Sequence, residues 1–343
     1  MRLSVRAPGW AAWLISDLTD MDRDPRHVSP GEVVEHELPD DVYFEYAFET
    51  ADRVVLPDPS NPNRVRNLWY GEVSYVTGPD YRPSELADPP RDIATGTADR
   101  LRLESSLLGQ TRRVTVYTPA TVAPDEATPL AVVQDGVAFQ RVGNLHLVHE
   151  ALLGRGRVEP LRLAFVEPSD RAVEYAFHEP YLRFVEEELE PELVARYPLT
   201  RRRVWVGASL GALASATLAL RRAERDPQAA RDDGVLSLSG AFLGTPEDFD
   251  PYLSRESWLL ARLRDPDVPL PGAWHLHVGT LEWLHDVNRA AGEALAARGD
   301  VRSAYTERSA GHNWRNWRDA LADAMSSVSA AMKDVVARAP GGD

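Results

Sequence analysis

The stretch Arg203-Val-Trp-Val-Gly-Ala-Ser-Leu-Gly-Ala-Leu-Ala-Ser-Ala-Thr-Leu-Ala-Leu-Arg221 decides the fold: an apolar run, a glycine-serine-glycine turn and a small-residue helix follow one another without a break. A strand that turns sharply into a helix lifts a serine hydroxyl clear of a sheet, and G-x-S-x-G is the pattern that does so. Gly207 and Gly211 stand where a side chain would collide as the backbone folds back. The helix after Ser209 points its first amides and its positive dipole end toward the hydroxyl, which favours a developing oxyanion. Glycine and serine also fall at this spacing by composition alone, as a turn that merely packs a helix onto a sheet. What raises Ser209 to a candidate nucleophile is the apolar run Val204 to Val206 before it, the helix after it and a suitably placed histidine downstream.

Outward from that turn, short apolar runs alternate with helical patterns. Leu130 to Gln134, Leu161 to Val166, Val204 to Val206, Val235 to Leu238, Trp274 to Val278 and Val301 to Glu307 read as strands. Strands spaced by helices imply an α/β fold with a mostly parallel sheet. Leu101 to Leu107 and Arg112 to Thr118 read as paired strands around Gly109-Gln110. In the helical segment Tyr181 to Val194, Leu182, Val185, Leu189 and Leu193 share a face. Its acidic run Glu186 to Glu188 reads as a solvated face, and the helix Trp317 to Val336 closes the sheet.

The N-terminal part has a different texture. Leu3 to Val5, Ala12 to Ile15, Val33 to Leu38, Val42 to Phe48 and Trp69 to Tyr75 are short runs divided by Pro, Gly, Asn and Asp, which suggests a small immunoglobulin-like β-sandwich. The proline-dense loop Leu56 to Asn63 fits no central strand. Pro79, Pro83, Pro89 and Pro90 give linker composition. The expected division is residues 1–82 as the small domain, 83–98 as linker, 99–338 as the α/β-hydrolase domain and 339–343 as a frayed tail.

The composition excludes several classes. A formal net charge of −15 with a pI near 5.1 argues against nucleic acid or an anionic membrane as the main partner, because both require a basic surface. Lys333 is the only lysine, and the other basic residues are arginines. The absence of cysteine removes disulfides, thiolate metal sites and a cysteine nucleophile together. The apolar run Trp10 to Ile15 is too short for an export signal and meets Asp17 directly, so the expectation is a soluble, cytoplasmic protein, whose partner, with Ser209 as candidate nucleophile, is expected to be a small-molecule ester. The sequence does not indicate an oligomeric state.

A serine hydroxyl needs a base to take its proton. His312, in the glycine-led loop Ser309-Ala-Gly-His-Asn-Trp314 between a strand and the last helix, is the best placed of the nine histidines. It completes the chain order serine, acid, histidine expected of an α/β hydrolase. The acid should follow the strand Trp274 to Val278, where Gly279-Thr-Leu-Glu-Trp-Leu-His-Asp286 offers Glu282 first and Asp286 second. Glu282 could equally cap the helix that follows. For the oxyanion, Leu210 supplies one backbone amide, and the loop Gln134-Asp-Gly-Val137 supplies another from Gly136 or Val137, with Gly136 preferred. Asp135 reads either as part of that loop's chemistry or as a plain turn residue.

At these residues the sequence resembles the enterochelin esterase-like branch of the α/β hydrolases, whose members cleave siderophore trilactones and related esters. The resemblance is carried by Val132-Val-Gln-Asp-Gly136, Gly207-Ala-Ser-Leu-Gly211, Gly279-Thr-Leu-Glu282 with Asn288-Arg289, and Gly311-His-Asn-Trp314 with Trp317. In the N-terminal part it is carried by Trp13-Leu-Ile-Ser-Asp-Leu-Thr-Asp20. It implies Ser209 as nucleophile, His312 as base, an acid near Glu282, and neither metal nor cofactor. Arg141, Arg171, Tyr175 and Trp314 become candidate substrate contacts, since arginines and aromatic rings suit anionic, aromatic esters. Ala208 stands where relatives often carry glutamine. Two other readings remain: an esterase for feruloyl or acetyl groups on carbohydrates, and an inactive hydrolase domain whose N-terminal sandwich binds glycans through Trp10 or Trp13.

Overall fold

The computed structural model describes residues 1–249 and 256–338. The expected tail, 339–343, lies outside the described residues. The chain divides into two compact units: Met1–Ser84 with Val278–His285 and Glu307–Asp319, and Glu85–His277 with Asp286–Thr306 and Ala320–Asp343.

The larger unit is built on an eight-stranded sheet. Its order is Arg302–Arg308, Ala273–Gly279, Gly234–Leu238, Leu199–Ala208, Thr128–Val133, Arg162–Val166, Gln110–Thr118 and Thr97–Ser105. The five strands from Ala273–Gly279 to Arg162–Val166 are parallel, and Gln110–Thr118 pairs antiparallel with both of its neighbours. The parallel strands read as nearly unbroken apolar runs because helices cover both faces. The chain leaves Thr128–Val133 for the strand on one side and then returns to the other side. The loops after Thr128–Val133 and Leu199–Ala208 therefore flank the point where strand order reverses, the usual place for a ligand in such a sheet. Helix Leu210–Arg225 turns Ala212, Ala216 and Ala219 into the core, where small side chains let it lie close to the strands.

The smaller unit is a β domain of two antiparallel sheets. Arg2–Arg6 pairs with Val33–Glu37. The second sheet runs Arg26–His27, Ala11–Ser16, Tyr43–Thr50, Gly71–Thr77, Arg64–Asn67, with Val55–Leu56 added against Tyr43–Thr50. Val5, Leu14, Val34, Phe44 and Phe48 share its core. Strand Tyr43–Thr50 is buried on both faces, and this takes Glu45 and Glu49 inside with the aromatic residues.

Two segments differ from the sequence expectation. Trp69 and Tyr70 do not begin a strand. The Asn67 side-chain oxygen accepts both of their amides, at 2.9 and 3.3 Å, and makes them the tip of a hairpin whose second strand starts at Gly71. Glu186 is not solvated either. Its carboxylate is buried between Arg221 and Arg225, at 2.9 and 2.7 Å, which secures the helical segment against Leu210–Arg225. Among the described residues no helix is long and apolar enough to cross a membrane.

Candidate active site

Ser209 sits between strand Leu199–Ala208 and helix Leu210–Arg225 with φ 55° and ψ −124°, a conformation L-residues rarely adopt. Strain of this kind, on the order of 1–3 kcal/mol, persists only where the surroundings enforce it. Here the backbone does so: the Ser209 amide donates to the Leu238 carbonyl at 2.9 Å, and the Ser209 carbonyl accepts from Ala241 at 3.1 Å. A Cβ on Gly207 would lie 2.2 Å from the Gly211 carbonyl oxygen. Asn288 holds the neighbouring loop by exchanging hydrogen bonds with both backbone groups of Gly240, at 3.0 and 2.8 Å.

The loop after Thr128–Val133 lies against this turn. A Cβ on Gly211 would come within 2.8 Å of the Asp135 carboxylate and 3.2 Å of Gln134. Asp135 takes a left-handed conformation and its carboxylate receives two hydrogen bonds from Arg171, at 2.8 and 3.0 Å. Arg171 also donates to the Ala208 carbonyl at 3.1 Å, so one guanidinium ties the loop to the residue before Ser209. Tyr175, only 1% exposed, accepts the Asp135 amide at 2.8 Å. Burial, with the Asp135 charge beside it, holds that phenol well above its ordinary pKa and therefore neutral. Arg171 and Tyr175 thus face the loop, where the sequence suggested that they face a substrate. Glu167 takes the Val137 amide at 2.9 Å, so the second of the two amides the sequence offered from this loop is engaged by a side chain. Arg141 is exposed at the end of its short helix.

In the smaller unit, His312 and Glu282 come together. His312 Nδ1 lies 2.7 Å from Glu282 Oε2. The other carboxylate oxygen accepts from the Gly279 amide at 2.7 Å and from Asn316 Nδ2 at 3.1 Å, so Glu282 is buried with both oxygens engaged. Asn316 also donates to the Gly311 carbonyl at 3.1 Å, joining the acid to the histidine loop. Glu282, the first of the two candidate acids, is the one that meets the imidazole. Trp317 stands edge-on to the His312 ring at 5.1 Å, and Trp314 packs on Trp317 at 5.0 Å.

Sequence reading passed over the residues that hold these two loops. Asp17 is buried, and its carboxylate accepts the Glu45 amide at 2.7 Å and Asn313 Nδ2 at 3.3 and 3.2 Å. A Cβ on Gly311 would fall 2.1 Å from Asp17 Oδ1, so the glycine before His312 is needed for this approach. Asp20, three residues on, accepts the amide of Trp283, next to Glu282, at 3.1 Å. Burial pushes Asp17 well above the usual carboxylate range and Asp20 up to about 6. The only sequence signal for this pair was the motif Trp13 to Asp20 that contains both acids. Among the described residues no cluster of three or more His, Asp or Glu is arranged to hold a metal ion.

A strained serine between a parallel strand and a helix, on an eight-stranded mostly parallel sheet, defines an α/β hydrolase. A family model described as putative esterase matches residues 105–328, more than half of the chain, and the protein belongs to that esterase family: it is a carboxylic-ester hydrolase. The enterobactin esterase of Shigella flexneri shares its fold, with a TM-score of 0.71 at 21% identity over 95% of this chain and 92% of that one. The ferric enterobactin esterase of Salmonella typhimurium does so at 0.73 and 19%, over 97% and 94%. A ferulic acid esterase aligns at 0.54 and 17%, over 69% of this chain and 99% of its own. No curated protein matches the sequence.

Proposed function

We propose that the protein is a serine esterase acting through an acyl-enzyme on siderophore-type or related aromatic esters. The observation that carries the reading is the backbone of Ser209, held at φ 55° and ψ −124° on the strand-to-helix turn that a G-x-S-x-G nucleophile requires. In the reaction Ser209 Oγ attacks the ester carbonyl while His312 takes its proton. The amides of Leu210 and Gly136 donate to the oxyanion. Collapse releases the alcohol, protonated by His312, and leaves the acyl group on Ser209. Water, activated by His312, attacks the acyl carbon and restores the serine. Glu282 orients His312 and stabilises the imidazolium, and no step calls for a metal or cofactor. Arg171 and Tyr175 support the Gly136 loop, and Arg141 and Trp314 remain the candidates for substrate contact.

For the substrate, the enterobactin esterases align over 95% and 97% of this chain, whereas the ferulic acid esterase covers 69% of it. That breadth favours the siderophore-type ester over a feruloyl group on carbohydrate. The test is burst kinetics with a p-nitrophenyl ester, with mass spectrometry for an acyl adduct. Ser209→Ala should abolish burst and adduct, and Glu282→Gln should lower kcat by about 10²- to 10⁴-fold with Asp286→Asn near wild type. Equal rates in wild type and Ser209→Ala would end the serine reading. Full activity in Glu282→Gln would reduce the site to serine and histidine.

A further inference from the structure

The hairpin tip Asn67–Gly71 displays two adjacent apolar side chains: Leu68 is 44% exposed and Trp69 46%. This tip is also fixed in place. Asn67, buried, accepts the amides of Trp69 and Tyr70 and donates its Nδ2 to Glu45 at 3.0 Å. Glu45 in turn donates its amide to Asp17, which receives Asn313 beside His312. One buried polar chain thus anchors both the indole and the histidine loop.

The rings confirm the placement. Trp69 lies tilted at 31° to His312 with centroids 6.1 Å apart, and edge-on, at 87° and 6.0 Å, to Trp317. Two of its neighbours are therefore the imidazole itself and the tryptophan that backs it. When the tetrahedral intermediate collapses, the imidazolium gives its proton to the leaving oxygen, so whatever that oxygen carries lies beside the imidazole. A flat indole there favours a flat ring by offset stacking over a saturated group of the same size.

We propose that Trp69, presented by the N-terminal domain, is a specificity-determining subsite that stacks an aromatic ring in the alcohol half of the ester. The inference rests on His312 acting as proposed above and goes beyond it by assigning the ring to the leaving group. The first test requires no turnover. The protein is titrated with 2-naphthylmethanol and with its fully saturated decalin counterpart, following the indole N–H resonance identified by its loss in Trp69→Phe. The expected result is a shift of that resonance and about two- to tenfold tighter binding of the naphthyl compound. The preference should persist in Trp69→Phe and vanish in Trp69→Leu. An unmoved resonance, or an unchanged preference in Trp69→Leu, overturns the subsite. The kinetic arm compares kcat/KM for the acetates of the same two alcohols, and then for methyl 2-naphthoate against methyl decalin-2-carboxylate. A Trp69-dependent preference confined to the acyl pair also overturns the assignment. Absence of a burst in the wild-type protein, with the Trp69 shift intact, would count against the serine reading alone.

Discussion

The turn that carries Ser209 and the loop that carries His312 are held by different kinds of interaction. Ser209 is fixed by backbone: a strand behind it, a helix ahead, two glycines that permit the fold-back, and main-chain bonds to Leu238 and Ala241. His312 is fixed by side chains drawn from far along the sequence: Glu282, Asn316, and Asp17 through Asn313. Backbone devices are local and stiff, so a fault in one displaces Ser209 outright. Side-chain networks are long-range and divisible, so a fault in one member loosens His312 by degrees.

The largest expected effect tests the stiff half. Gly207→Ala places a methyl 2.2 Å from the Gly211 carbonyl oxygen, a collision with backbone that no rotamer relieves. The expected cost is about 3 kcal/mol of stability. If the chain still folds, kcat should fall by about 10²-fold, since a shift near 1 Å in the nucleophile is enough for that. Urea melts and a p-nitrophenyl ester assay on the same preparation check both. Near-normal values in each would show that the turn yields more than its geometry suggests.

A smaller effect separates the two units by their response to acid. In the larger unit His149 is fully buried, and burial lowers its pKa from 6.5 to about 4. Between those values the unfolded chain binds the proton and the folded chain does not, so this stabilisation is present above pH 6.5 and is lost as pH falls toward 4. In the smaller unit Asp20 has the opposite sign. Its pKa, raised to about 6, gives stability at low pH that is lost as pH rises through 6. His149→Gln should therefore lose about 2 kcal/mol less than wild type between pH 7 and pH 5. Denaturant titrations at both pH values measure this, and identical losses would refute the assignment of acid lability to His149.

The same contrast explains what the sequence made legible. The Ser209 turn could be read because its determinants are contiguous: residues 203 to 221 span the end of the strand, both glycines and most of the helix. His312 and Glu282 could be read because each follows a strand at the position the fold reserves for it. Asn316 was harder, since nothing in Gly-His-Asn-Trp-Arg-Asn says which asparagine meets Glu282. Asp17 stood in a recognisable motif, but its role was not readable, because its partners Glu45 and Asn313 are 28 and 296 residues away. Trp69 read as strand because aromatic residues favour strands, and a single Asn67 side chain overrode that preference. Glu186 read as solvated because the arginines that bury it lie on another helix.

The finest test concerns whether Asp17 acts on chemistry or only on folding. Its oxygens accept from Asn313 Nδ2, and the Asn313 side-chain oxygen accepts the Asn316 amide at 2.9 Å. Asp17→Asn turns a donor toward a donor unless the new amide presents its oxygen, which cannot serve Glu45 and Asn313 with the same geometry. Asn313→Asp sets two carboxylates against each other. Each single change should lower kcat by about tenfold, the scale of an outer partner that orients a working side chain. In the exchange Asp17→Asn with Asn313→Asp, the amide can donate to the new carboxylate while its oxygen still receives Glu45. The carboxylate at 313 can still accept from Asn316. Activity should then return to within about threefold of wild type, well above the product of the single losses. If the three variants lose stability in step but keep kcat, Asp17 is a packing residue. Recovery of kcat in the exchange would show that Asp17 acts on the reaction through the histidine loop.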